Sequence, residues 1–385
     1  MKYALICAVV TAVFFSCNAF AADSETESLQ QQLNSLQEQL KTIKGVKDTS
    51  KNISGENTGN PAISVIGSFT GHRSRGGNNL GSSSFLPLSE TEIVFGANID
   101  PHARLDITAT AADGGMAVEE GFITAYLPKQ FNLKAGRKFL PIGRANEVHP
   151  HALIYADRPN GLVNLFGPEI FIGSGLLLDR PFFTGNSIQS LTIGLFSTSN
   201  DIAFDPTGIN QYAGLIRGTS VWDTSDWSTL ELGATYLQGK NGITSDSATK
   251  LSSAHLSWKS QSLDDTGLSI EAEWIRRTQE QGANAPSMVM DGSYLLADVG
   301  FNKNMHVFAR ADYSKEHATT AIEKAISAGI VWKVSEFQNL TLQYKQTRNA
   351  LAEVAKNIGV ATGDKANTWF FRWVVAIGPH ATHAY

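Results

Sequence analysis

From residue 62 onward, apolar and polar residues take turns along the chain. In "TLELGATY", Leu230, Leu232, Ala234 and Tyr236 share one face, and Thr229, Glu231, Gly233 and Thr235 share the other. In "SAHLSWK", Ala254, Leu256 and Trp258 oppose Ser253, His255, Ser257 and Lys259. "NLTLQYK" sets Leu340, Leu342 and Tyr344 against Thr341, Gln343 and Lys345, and "WFFRWVVAIG" sets Trp369, Phe371, Trp373, Val375 and Ile377 against Arg372. A period of two belongs to β-strands, whose successive side chains point to opposite faces. About sixteen such strands follow residue 61.

The connections sort by length. Short ones fall near 100–103, 128–130, 181–186, 223–227, 263–266, 303–304 and 335–339. Longer ones lie between them, at 73–87, 112–118, 139–167, 199–211, 240–248, 278–291, 315–323 and 349–367. Strict alternation of short and long connections is the signature of an outer-membrane barrel, with short periplasmic turns and longer extracellular loops. A soluble sandwich has no reason to sort its loops this way, and closure removes the edges a long open sheet would expose. The sequence therefore predicts an all-β fold: a transmembrane antiparallel β-barrel of about sixteen strands over 62–385, with both termini periplasmic. The last strand is expected to end near Gly378, ahead of the tail "PHATHAY".

Ahead of the barrel the pattern has a different period. Leu29, Leu33, Leu36, Leu40 and Ile43 recur at spacings of 4, 3, 4 and 3 within residues 23–45. This a/d seam reads as a short coiled-coil helix, or as a single amphipathic helix lying on another surface. Residues 46–61 are polar and rich in Gly, Asn and Ser, as a linker is. Residues 1–22 carry Lys2, an apolar run from Tyr3 to Phe15 and the small-residue ending Ala19-Phe20-Ala21, the pattern of a secretory signal peptide.

Composition narrows the reading. Both cysteines, Cys7 and Cys17, lie in the signal segment, so the remainder has no disulfide to rely on. The formal net charge is −5 and no basic block occurs, so nucleic acid is not an expected partner.

The chemistry concentrates in the third long connection, from "GRKFLPIGRANEVHPHALIYADRP" through residue 167. Arg137, Lys138, Arg144 and Arg158 bring positive charge and Glu147 and Asp157 negative charge, while Pro141, Pro150 and Pro159 stiffen the segment. Phe139, Leu153, Ile154, Tyr155, Leu162, Val163, Leu165 and Phe166 give it an apolar surface unsuited to solvent. Residues 139–167 are therefore expected to fold into the barrel and narrow it, with Arg137, Lys138, Arg144, Glu147, Asp157, Arg158, Lys345 and Arg372 lining the constriction. Lys134, Arg217, Lys259 and Lys333 add lumen-facing cations, but Glu231, Glu271 and Glu273 interrupt any cation ladder, so strong anion selectivity is not expected.

Glu147, His149, His151 and Asp157 form an N/O donor set compatible with Zn²⁺. The bland alternative is that these groups pin the loop, the histidines to backbone and the carboxylates to Arg144 or Arg158. His380 and His383 offer a second, separate metal candidate. No cofactor is required by any of this, and zinc is the one ion suggested. An enzyme is not expected, since the histidines have no G-x-S-x-G nucleophile motif beside them. A structural tether between barrel and periplasm is a further alternative.

In organisation the chain resembles the phosphate-selective porin-like proteins of Gram-negative bacteria, and the siderophore porins that share a leucine-zipper-like start. The loop "AGRKFLPIGRANEVHPHALIYADRP" together with "FFRWVVAIGPHATHAY" is similar to a group of porin-like barrels linked to zinc regulation. These resemblances imply a channel for passive or weakly selective passage of small solutes, metal ions or metal chelates among them. They also imply outer-membrane lipid around the barrel and a homotrimer joined through the N-terminal coil.

Overall fold

The computed structural model describes residues 61–378 except 77–78, 113–114, 170, 199, 201, 205–211 and 263–265. The expected signal segment (1–22), coiled coil (23–45) and most of the linker (46–60), and the tail with His380 and His383, lie outside the described residues.

Seventeen antiparallel strands form one sheet. They are β1 (Ala62–Gly76), β2 (Asn79–Ser84), β3 (Leu88–Asp100), β4 (Ala103–Ala112), β5 (Gly115–Leu127), β6 (Phe131–Phe139), β7 (Ile172–Thr184), β8 (Ser187–Thr198) and β9 (Tyr212–Ser225). The sheet continues with β10 (Ser228–Lys240), β11 (Ala248–Gln261), β12 (Gly267–Gln279), β13 (Met288–Asn302), β14 (Met305–Glu316), β15 (Ile322–Ser335), β16 (Gln338–Arg348) and β17 (Ala366–Ile377). Among the described residues two short α-helices sit in connections, α1 (Asn160–Phe166) and α2 (Ala352–Ile358).

The sheet closes on itself. β1 pairs along its length with β17, from Val65↔Ile377 to Gly76↔Ala366, and its first half pairs with β3. A closed 16-strand barrel results. β2 stands outside that count as a short strand against the far half of β1. Residues 62 and 377 lie at the rim that carries the short turns.

The alternation read from the sequence becomes an inside and an outside, with the usual preference inverted. On β16, Thr341, Gln343, Lys345 and Thr347 are buried while Leu342 is exposed. On β17, Arg372 is buried and Trp369, Phe371 and Trp373 are exposed. On β8, Leu191, Ile193 and Leu195 face outward. Polar residues inside and apolar residues outside make sense only if the outer medium is less polar than the lumen.

Two expected connections turn out differently. Residues 73–87 are largely strand, because β1 runs on to Gly76 and β2 comes directly after it. Residues 115–118 are strand instead of loop, since β5 begins at Gly115, which pairs with Ala112 of β4. At 73–76 the polar end Arg73-Ser74-Arg75 of β1 reads as loop, and at 112–118 the Asp-Gly-Gly sequence reads as a longer connection than the strands leave.

The lumen is not uniformly polar. Toward the long-loop rim a hydrophobic cluster fills one side, where Leu237, Leu251 and Ile275 of the wall meet Leu162, Leu165, Phe166, Phe171 and Phe204. Phe171 stacks on Phe166 at 5.1 Å between ring centres and on Phe204 at 5.7 Å. This apolar interior exists to receive the third long connection.

Candidate functional site

Residues 140–171 leave β6, cross the lumen and return to β7. The two ends meet: Leu140 N donates to Phe171 O at 3.0 Å. Asn146, fully buried, staples this neck. Its Nδ2 donates to Leu140 O (2.9 Å) and Phe171 O (3.0 Å), and its Oδ1 accepts from Phe171 N (3.0 Å) and Arg158 (3.2 Å). One amide thus satisfies four groups that water cannot reach.

The first limb runs along β9–β12. Pro141 O accepts from Thr235 Oγ1 (3.0 Å) and Gly143 N donates to Ser253 Oγ (3.0 Å). Gly143 has φ +67°, and a Cβ there would fall 2.0 Å from Glu273 Oε1, so only glycine fits this turn. Glu273 Oε2 then accepts from the backbone of Arg144 (2.9 Å) and Ala145 (3.0 Å) and from the Tyr294 hydroxyl (3.3 Å). The Arg144 guanidinium spans Glu231 (2.9 Å) and Glu271 (3.3 Å). The three glutamates that interrupt the cation ladder are therefore the grip on this limb.

The tip crosses to the opposite wall. Glu147 pairs with Arg217 of β9. His149 Nδ1 lies 3.2 Å from Glu92 Oε1 on β3, and Nε2 lies 3.1 Å from Glu120 Oε2 on β5. His151 Nδ1 lies 2.8 Å from the same Glu92 oxygen. Burial by itself lowers the His149 pKa, but hydrogen bonds to Glu120 and Glu92 outweigh it and push the imidazole up to about 10. Glu120 is fixed in turn by Phe139 N (3.0 Å) and Lys138 Nζ (3.3 Å).

The return limb is locked to β14, β16 and β17. Arg372 donates to Pro150 O (2.7 Å) and to Leu153 O. Asp157, buried, takes Arg310 (3.0 Å), Lys345 and Gln343 together, and Lys345 also reaches Asn160 Oδ1 (2.8 Å). Burial raises the Asp157 carboxyl, but the adjacent Arg310 and Lys345 cations prevail and hold it at about 2. Helix α1 then packs on β13 so closely that a Cβ on Gly161 would meet Ser293 N at 2.8 Å, and one on Gly292 would meet Gly161 Cα at 2.8 Å. Gly292→Val is accordingly expected to push α1 off the wall, at an overpacking cost of about 1–3 kcal/mol. Faster chymotryptic cleavage after Phe166, against an unchanged barrel circular dichroism spectrum, is the check.

Of the residues expected to line a constriction, Lys138, Arg144, Glu147, Asp157, Arg158, Lys345 and Arg372 all join this network. Arg137 does not: it is exposed and donates to Val118 O at the rim. The expected donor set Glu147, His149, His151 and Asp157 is split three ways. The two histidines come together, with ring centres 5.6 Å apart, but against Glu92. Glu147 and Asp157 belong to separate ion pairs. Glu92, Glu120, Asn146 and Arg310 escaped the sequence reading. One clue was present: Glu119-Glu120 puts two acids at consecutive strand positions, and a bulge opposite Thr108 and Ala109 accommodates the extra residue.

Beneath the loop, toward the short-turn rim, a chamber of about 440 Å³ remains open. Leu153, Ile154 and Tyr155 form part of its roof, and Lys259, Lys303, Lys333, Glu271, Asp298 and His306 stand on its walls.

No protein-family model matches the chain. An uncharacterized protein of Aquifex aeolicus (strain VF5) is 28% identical over 191 residues, which is 46% of this chain and 39% of that protein. The chain thus spans about two-fifths of that curated relative. Among solved structures, the anion-selective porin from Comamonas acidovorans superimposes with a TM-score of 0.55 at 11% identity, covering 82% of this chain and 100% of the porin. The fold is a porin fold. The outer membrane channel DcaP of Acinetobacter baumannii gives 0.54 at 8% identity over 83% and 98% of the two chains. OmpT, an outer membrane protein of Vibrio cholerae, gives 0.53 at 11% over 82% and 98%.

Proposed function

We propose that the chain is an outer-membrane channel of a Gram-negative bacterium that passes small solutes through a barrel narrowed by residues 140–171. The observation that carries this is a long loop held inside a closed barrel, above an open chamber walled by charges of both signs. Mixed charge supports weak selectivity rather than a dedicated anion path, because Glu271 and Asp298 interrupt the chamber lysines Lys259, Lys303 and Lys333. The solutes are small, metal ions or metal chelates among them, siderophores and phosphate being the narrower alternatives. The short-turn rim, near residues 62 and 377, faces the periplasm in this reading, and residues 23–45 join three copies as a coil.

The test is single-channel recording of the refolded full chain in planar bilayers. Small, weakly selective steps are expected, and verified barrels that never conduct would overturn the proposal. Ile193 sits midway along β8 on the outward face, 48% exposed. Ile193→Arg is expected to destabilise the barrel in lipid vesicles by about 2–4 kcal/mol, read from urea unfolding. An unchanged unfolding midpoint would place that face outside the hydrocarbon.

A further inference from the structure

Where the loop tip meets the β3–β5 wall, the balance of charge and of hydrogen bonds is incomplete. Glu90, Glu92, Glu119 and Glu120 converge there, with Lys138 and two histidines to answer them. One ligand atom from each of Glu92, His149 and His151 lies within 4.8 Å of the others, and the same holds for Glu90, Glu92 and Glu119. Glu92 belongs to both groups and is 1% exposed. Its Oε1 receives both imidazoles, yet its Oε2 is buried with no hydrogen-bond partner among the described residues. Glu119 Oε2 is likewise buried and without such a partner, 4.0 Å from His149 Nδ1. Unanswered buried carboxylate oxygens are costly.

The surroundings are those of a metal ligand set. A ligating histidine is commonly oriented by a carboxylate on its other nitrogen. His149 offers Nδ1 toward Glu92 and Glu119 while Nε2 is held by Glu120, itself anchored by Lys138 and the Phe139 amide. Two imidazoles with carboxylates suit Zn²⁺ and neighbouring divalent ions, and the absence of thiolates disfavours softer ones.

We propose that Glu92, His149 and His151, with Glu119 or Glu90 completing the shell, bind one divalent transition cation, for which Zn²⁺ is the natural probe. The histidines belong to the loop and the glutamates to the wall, so the ion cross-links the two. It fixes the tip of the constriction in place. The inference rests on where the loop tip lies and not on whether the barrel conducts.

The experiment is calorimetric titration of Zn²⁺ into chelator-stripped, refolded full-length protein in detergent. One ion per chain is expected, with Zn²⁺ slowing tryptic cleavage after Arg144. His149→Ala/His151→Ala and Glu92→Gln are expected to abolish this binding, and Glu120→Gln to weaken it about 10–100-fold. Because Glu120→Gln removes an orienting partner and keeps both histidines, it remains informative if the double variant folds poorly. His380→Ala/His383→Ala is expected to bind as the wild type does. No binding in the wild type, or binding lost only in that tail variant, would overturn the proposal.

Discussion

Asp157→Ala is expected to free the return limb of the loop and raise single-channel conductance. Asp157 answers two cations that are themselves buried, Arg310 with its side chain fully enclosed and Lys345 nearly so. Removing one member of such a group leaves the others uncompensated, at about 3–5 kcal/mol. Arg310 retains Asp312 at 3.1 Å, so the larger share of the loss falls on Lys345. The same carboxyl sets a pH dependence. Its folded pKa is depressed, so its contribution is complete above the ordinary aspartate value of about 3.9 and lost as pH falls through about 2. Arg310, Lys345 and Asp312 are the charged groups that face it. Wild-type conductance is therefore expected to hold steady across neutral and mildly acid pH and rise only in strong acid. Asp157→Ala is expected to start high and show a smaller acid step, since Glu92, Glu120 and Glu231 hold other parts of the loop. A conductance unchanged by the substitution would show that this limb does not limit the passage.

Phe171→Ala is the second large effect, and it separates the apolar from the ionic share of loop docking. The ring is fully buried between Phe166 and Phe204. Truncating such a ring costs about 3–5 kcal/mol through lost contacts and the cavity left behind. The backbone of residue 171 keeps its bonds to Leu140 and Asn146, so the neck stays closed. The expected result is a loop that digests faster with trypsin while the acid step of Asp157 persists. If the substitution abolished that step as well, the two anchors would be one cooperative unit.

The barrel was legible because its two signals are local. Alternation within "NLTLQYK" fixes which residues turn inward, and the sorted connection lengths imply a closed sheet with two unlike rims. The misread stretches differ: at 73–87 the apolar face of β1 gives out before the hydrogen bonding does, and at 112–118 Asp-Gly-Gly overstates the length of the connection before Met116 and Val118 resume the strand. That 139–167 belongs inside was also readable, since a chain carrying Leu162, Leu165 and Phe166 beside Arg144 and Asp157 suits neither solvent nor lipid. Its partners were not readable. Arg372 lies 222 residues from Pro150 and Lys345 lies 188 from Asp157. Nothing in either segment names the other until the sheet closes. The histidines attracted notice as a pair, but spacing could not distinguish Glu92, 57 residues before His149, from Glu147, two residues before it.

The neck has a practical consequence. β6 and β7 remain paired up to Phe139↔Ile172, and the backbone bond between Leu140 and Phe171 extends that pairing by one more step. The excursion thus departs from and returns to a single point on the wall, as a drawer does in its frame. A two-residue hairpin of Asn-Gly type can bridge β6 and β7 in place of residues 140–171 without disturbing any other strand register. The product is a wide-bore barrel whose inner surface presents Glu273, Arg310, Lys345 and Arg372 in known positions. Those side chains become sockets, into which a replacement segment of chosen length and charge can be keyed to set the bore of an engineered pore.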